Sequence, residues 1–123
     1  MILDKFKKDP SAELVTVTPS VNIFEKDNEV ALELDMPGAD KEALDVNLEG
    51  NTLTVRGRTR KDDIPKEYQP LYTERRQVGY ERRFELNIDI DRGGIKADFI
   101  HGVLTVRLPK AQSAQPRKIE IKS

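Results

Sequence analysis

The chain has 123 residues, with 21 Lys and Arg against 22 Asp and Glu, a formal net charge of -1, and no cysteine. A chain of this length is expected to form one domain with a real core, and the lack of cysteine excludes a disulfide framework, a thiolate metal site and a cysteine nucleophile. Charged residues make up 35% of the sequence but nearly cancel, so no single-sign field draws the chain to nucleic acid or to an acidic membrane.

The opening MILDKFKKDPS carries Ile2, Leu3 and Phe6. It lacks the continuous apolar run of roughly 7 to 15 residues that a secretory signal needs. No stretch reaches the roughly 20 apolar residues of a membrane span, so the expectation is a soluble, cytoplasmic protein. From Ser20 onward the apolar period is two, the period of strands. VNIFE (21–25) places Val21, Ile23 and Glu25 on one face, and EVALELD (29–35) aligns Val30, Leu32 and Leu34, with KDN as the turn between them. Pro37 and Gly38 end this strand. ADKEAL (39–44) has the polarity of one helical turn or a loop. DVNLEGNTLTVRGRT then resumes alternation, with Val46 and Leu48 before a turn near Gly50-Asn51 and Leu53 and Val55 after it.

Residues 60–79, RKDDIPKEYQPLYTERRQVG, break the rhythm with two prolines and many charges. A loop of roughly 20 residues is long for a compact domain and points to function or disorder rather than filler. Within it PLYTERR has the pattern of one short strand without an obvious local partner. Alternation returns in YERRFELNIDID, with Tyr80, Arg82, Phe84, Leu86, Ile88 and Ile90 nominally on one side. A turn at Arg92-Gly93-Gly94 leads into IKADF, with Ile95, Ala97 and Phe99, and Gly102 opens VLTVRL, where Leu104, Val106 and Leu108 share a face before Pro109.

About seven or eight short strands separated by turn signals predict an all-β, antiparallel β-sandwich. Beyond Lys110 the sequence AQSAQPRK is linker-like, and the chain closes on RKIEIKS. In an extended strand Ile119 and Ile121 point the same way, about 7 Å apart, with Glu120 on the other side. Three segments result: a short arm (1–19), a strand-rich domain (20–110) and a tethered tail (111–123).

Catalysis has no visible seat. His101, the single histidine, lies in FIHGV with no serine or aspartate patterned around it, and reads as a turn residue. DIDRGGIKADFI has Asp89, Asp91 and Gly94 in calcium-loop positions, but Gly93 and Ile100 stand where oxygen ligands are required. Arg56, Arg58 and Arg60 line one strand face without interleaved aromatics to stack bases, and Asp62-Asp63 has no apolar neighbours to raise a pKa. No enzyme activity and no cofactor are expected.

ADFIHGVL (97–104) is similar to the A-x-x-x-N-G-V-L signature of the small heat-shock proteins, the α-crystallin family. DMPGADKEALDVNLEGNTLTVRG (35–57) resembles the earlier half of the same domain, and IEI (119–121) its C-terminal I-x-I motif. The resemblance covers residues 20–110 plus the tail. It implies an immunoglobulin-like sandwich, an ATP-independent holdase that binds unfolding client proteins, a homodimer as building block, and larger homo-oligomers; from the charge balance neither nucleic acid nor membrane is expected as a partner. It makes PLYTERR, with Leu71, Tyr72 and Glu74, a strand that pairs with a partner subunit near VNIFE, whose Val21 and Ile23 join the interface. Arg82 matches an arginine near that interface in the animal crystallins.

The resemblance also makes Ile119, Glu120 and Ile121 an oligomerisation motif. Their groove is lined by Val46, Leu48, Ile95, Ala97 and Phe99, although alternation leaves open which face is core. Ile2, Leu3 and Phe6 would be the client-binding arm. His101 departs from the family asparagine, with the turn expected to survive since both tolerate left-handed backbone. The arm of about 19 residues is short, which reduces the expected client surface and assembly size. The alternative is a non-catalytic, co-chaperone-like sandwich that binds one folded partner.

Overall fold

A computed structural model describes residues 15–61, 64–72 and 77–112. Its strands are β1 (Val15–Val17), β2 (Val21–Lys26), β3 (Glu29–Asp35), β4 (Asp45–Glu49), β5 (Thr52–Arg58), β6 (Val78–Glu85), β7 (Lys96–Ile100) and β8 (Val103–Pro109). They form two four-stranded sheets, in the orders β1-β6-β5-β4 and β2-β3-β8-β7. The all-β sandwich expected from the alternation, immunoglobulin-like as the resemblance implies, is therefore the observed fold.

Register follows the apolar pattern. Val30, Leu32 and Leu34 of β3 lie opposite Leu108, Val106 and Leu104 of β8, and Leu53 and Val55 of β5 lie opposite Phe84 and Arg82 of β6. A one-residue slip would turn every one of these side chains to solvent, so burial holds the pairing. The resulting core contains Leu32, Leu34, Met36, Leu53, Val55, Leu104, Val106 and Leu108, each at most 2% exposed. Where β5 passes Met36, a Cβ added at Gly57 would stand 2.5 Å from the Met36 methyl, so any other residue there would force that side chain to move.

Turn chemistry explains the hairpins. Lys26 pairs with Glu29 across Asp27-Asn28, and Glu49 pairs with Thr52 across Gly50-Asn51, where Gly50 takes φ +59°. Ile100 pairs with Val103 across His101-Gly102, whose φ values are +51° and +78°. Positive φ at both central residues is the demand of a type I′ turn, and histidine meets it in place of asparagine. ADKEAL makes one 3-10 turn, Lys41–Ala43, capped by the Asp40 carboxylate accepting from the Glu42 N–H at 3.1 Å.

Three features differ from the sequence reading. The first sheet is mixed rather than antiparallel, because Val15–Val17, within the segment read as an arm, pairs with β6 in parallel. Leu71 and Tyr72 lie in no strand, since no strand of this chain runs beside them among the described residues. Residues 86–90 do not prolong β6. The Leu86 N–H makes the last bond of the β5–β6 register, to the Asn51 carbonyl at the hairpin turn, and the chain pairs again through the Ile90 and Lys110 bridge. The turn expected at Arg92-Gly93-Gly94 is present as a 3-10 turn, Arg92–Gly94, capped by Asp91, whose Oδ1 accepts from the Gly93 N–H at 3.2 Å.

Candidate functional site

The strand orders place β4 at the end of one sheet and β7 at the corresponding end of the other. Val46 and Leu48 lie opposite the fully buried Val55 and Leu53, so both point between the sheets. Ala97 and Phe99 lie opposite the buried Val106 and Leu104 and point inward too, with Ile95 one residue before the strand. Val46, Leu48, Ile95 and Phe99 pack against the core yet stay half-buried, and Ala97 is exposed. The five residues expected to line a groove thus share the inner face of an unclosed side of the sandwich. Alternate positions Asp45, Asn47 and Glu49 face outward.

The sequence reading missed how this opening ends. Arg92 reaches from its 3-10 turn to the β4-β5 hairpin, where Nη1 donates to the Leu48 carbonyl at 3.2 Å and Nη2 donates to the Gly50 carbonyl. Beside it lies a cavity of about 250 Å³ lined by Leu48, Leu86, Ile88, Ile90 and Ala111 among others. A glycine-flanked arginine carries no sequence signal for a contact 44 residues away. The tail leaves from a fixed point nearby: Lys110, 7% exposed, holds Glu25 Oε1 at 2.6 Å through Nζ, and its N–H donates to the Asn28 carbonyl.

At the opposite side Val21 is half-buried against the core, whereas Ile23 is 56% exposed although it faces Leu32 across the ladder. Leu71 and Tyr72 are exposed as well. Arg82 points inward, opposite Val55, and is engaged within its own chain: Nη1 donates to the Pro19 carbonyl at 2.8 Å, and the guanidinium lies 5.4 Å from the Phe84 ring centroid. Glu74, the arm residues Ile2, Leu3 and Phe6, and the motif Ile119, Glu120 and Ile121 lie outside the described residues.

The remaining candidates have structural roles. Arg56 lies 3.5 Å from Glu81 and Arg60 3.9 Å from Asp40, exposed pairs of small energetic weight. Asp91 serves as a cap. Among the described residues no three His, Cys, Asp or Glu gather as a metal site, and no helix is long and apolar enough to cross a membrane.

Comparison with known proteins places these features. The family model described as Hsp20/alpha crystallin family matches residues 22–122. The chain is 30% identical over 104 residues to small heat shock protein C2 of Rickettsia felis, covering 85% of this chain and 68% of that one. It is 33% identical to a probable 15 kDa heat shock protein of Leptospira interrogans, covering 87% and 80%. Among these curated relatives the chain spans from 61% to 80% of the other protein's length. Heat shock protein 16.0 from Schizosaccharomyces pombe superposes with a TM-score of 0.65 at 31% identity, covering 86% of this chain and 99% of the other. A small heat-shock protein from Xylella fastidiosa, whose structure is described as a distinct high order one, gives 0.61 at 31% identity over 85% and 96%. With its sandwich, its His101-Gly102 hairpin and a family model that spans most of its length, the chain belongs to the Hsp20/alpha crystallin family, the small heat-shock proteins.

Proposed function

We propose that this small heat-shock protein is an ATP-independent holdase that binds apolar segments of unfolding proteins and assembles from dimers by seating the Ile119-Glu120-Ile121 motif in the opening between β4 and β7. The observation that carries this reading is the row Val46, Leu48, Ile95, Ala97 and Phe99, inward-facing but incompletely covered. Such a slot accepts side chains of an extended segment at alternate positions, the spacing of Ile119 and Ile121. No hydrolysis is required, because the apolar surface of the client supplies the binding energy.

Magnitudes favour a reversible contact. Two buried isoleucines contribute about 3 to 6 kcal/mol before the cost of ordering the tail. One such contact corresponds to roughly millimolar affinity or weaker. Several acting together hold an assembly through effective concentration, and heating releases them. The tether from Pro109 to Ile119 extends about 33 Å at roughly 3.3 Å per residue, enough for its own opening or a neighbour's. Exposed Ile23, Leu71 and Tyr72 supply apolar surface for the dimer contact; by the family resemblance Val21, Glu74 and Arg82 join it, and Ile2, Leu3 and Phe6 add client surface. The lack of cysteine suits a reducing compartment such as the cytoplasm.

The test pairs two measurements on the intact protein and on Ile119→Ala/Ile121→Ala. Light-scattering mass at 25 °C and near 45 °C should fall toward a dimer in the variant, and wild-type protein in few-fold excess should suppress heat aggregation of a model enzyme. Unchanged aggregation defeats the holdase reading, and a monomeric wild type favours the single-partner module.

A further inference from the structure

β1 shows that the outer edge of β6 takes up an extended segment. Val15, Thr16 and Val17 pair in parallel with Val78, Gly79 and Tyr80. Tyr80 lies on the inner face together with Arg82 and Phe84, so Val15 and Val17 turn toward the interior and Thr16 turns outward. The edge therefore accommodates two β-branched apolar residues flanking one polar residue. It holds this occupant weakly. Three register pairs join β1 to β6, against seven between β5 and β6, and parallel pairing is the less stable kind. Val15 and Val17 remain 48% and 40% exposed and stand outside the buried core, so their leaving takes no fully buried side chain out of it.

The chain also has a stop for that departure. Downstream of β1 the Pro19 carbonyl accepts from Arg82 at 2.8 Å, and the Ser20 carbonyl accepts from the Asp35 N–H at 3.0 Å. Peeling from the N-terminal side halts at Pro19 and leaves β2 in its sheet. The bare edge then offers a row of backbone donors and acceptors, the template onto which extended chains add.

We propose that the β6 edge covered by Val15–Val17 is a second peptide-docking edge, which takes extended, β-branched segments of unfolding proteins in parallel register once β1 peels away. It is separate from the opening between β4 and β7. Its assignment to unfolding proteins rests on the holdase reading, whereas the edge itself does not.

The absence of cysteine permits a clean test in the full chain. Val15 and Val78 are register partners, so Val15→Cys/Val78→Cys carries a single disulfide that locks β1 down when oxidised and frees it when reduced. The probe is a fluorescent peptide of residues 11–18, SAELVTVT, followed by anisotropy. Oxidation should weaken its binding at least tenfold and leave binding of a PRKIEIKS peptide (116–123) unchanged, which separates this edge from the tail groove. A second variant, Val15→Asp/Val17→Asp, alters exposed positions outside the core and should bind SAELVTVT several-fold more tightly than wild type. Equal binding by the oxidised and reduced forms, or no gain in the aspartate variant, overturns the proposal. The peptide assay needs no client, so a failed aggregation assay counts against the holdase reading alone.

Discussion

Replacing Tyr80 by phenylalanine tests the link between the two sheets. Tyr80 is 8% exposed, and its hydroxyl donates to the Pro37 carbonyl at 2.8 Å, joining β6 to the segment that follows β3. Removing one hydrogen bond of this kind without changing the ring costs about 1 kcal/mol. Burial also pushes the Tyr80 phenol above its ordinary value of 10.0. The unfolded chain therefore releases this proton first. The stabilisation is complete below about pH 10 and is lost as pH rises through the folded-state value, by up to about 1.4 kcal/mol per pH unit. Tyr80→Phe has no such proton. In urea unfolding the variant should be less stable than wild type by about 1 kcal/mol at pH 7, with the gap narrowing above pH 10. The two proteins differ only in this hydroxyl, so the difference isolates it. A gap that stays constant from pH 8 to pH 11 would show that the phenol is not held in a buried hydrogen bond.

Other predictions follow from single contacts. His101→Val should cost about 2 kcal/mol, because a β-branched residue resists the left-handed φ of +51°, whereas His101→Asn should match or slightly exceed wild type; thermal unfolding measures both. Arg82→Ala should cost about 2 kcal/mol in urea unfolding, since the carbonyl of buried Pro19 loses a charged donor, with Arg82→Lys intermediate. Ala97→Trp places a large side chain on the exposed, inward-facing position of the β4 to β7 opening. It should leave the fold intact by circular dichroism and reduce PRKIEIKS binding at least tenfold, and undiminished binding would move the tail site elsewhere.

The hairpins show how much of the fold is legible locally. DVNLE, EVALELD and VLTVRL carry a period of two over five to seven residues, and the turns between strands fall where glycine, asparagine or histidine permits a reversal. YERRFELNIDID shows the limit. Its apolar period continues to Ile90, but the strand ends at Glu85, because β5 begins at Thr52 and offers no backbone partner beyond the Asn51 carbonyl that the Leu86 N–H still reaches. VTV could not be assigned to β6 from its own residues, since a parallel contact 63 positions away leaves no mark on three residues.

The tail groove divides in the same way. Alternation put Val46 with Leu48 and Ala97 with Phe99, because successive side chains in a strand must take opposite faces. Which face was core came from the ladders against Leu53, Val55, Leu104 and Val106, and the incomplete cover of Val46, Leu48, Ile95 and Phe99 from the packing of the two sheets. Arg82 at Pro19 and Arg92 at Leu48 and Gly50 belong wholly to tertiary structure, as each guanidinium reaches carbonyls at least 42 residues distant. The sequence by itself determined strand positions, turn chemistry and family, since these are local or motif-borne. Only folding decided sheet order, the parallel β1 and the open edges, because these depend on contacts between residues far apart in the chain.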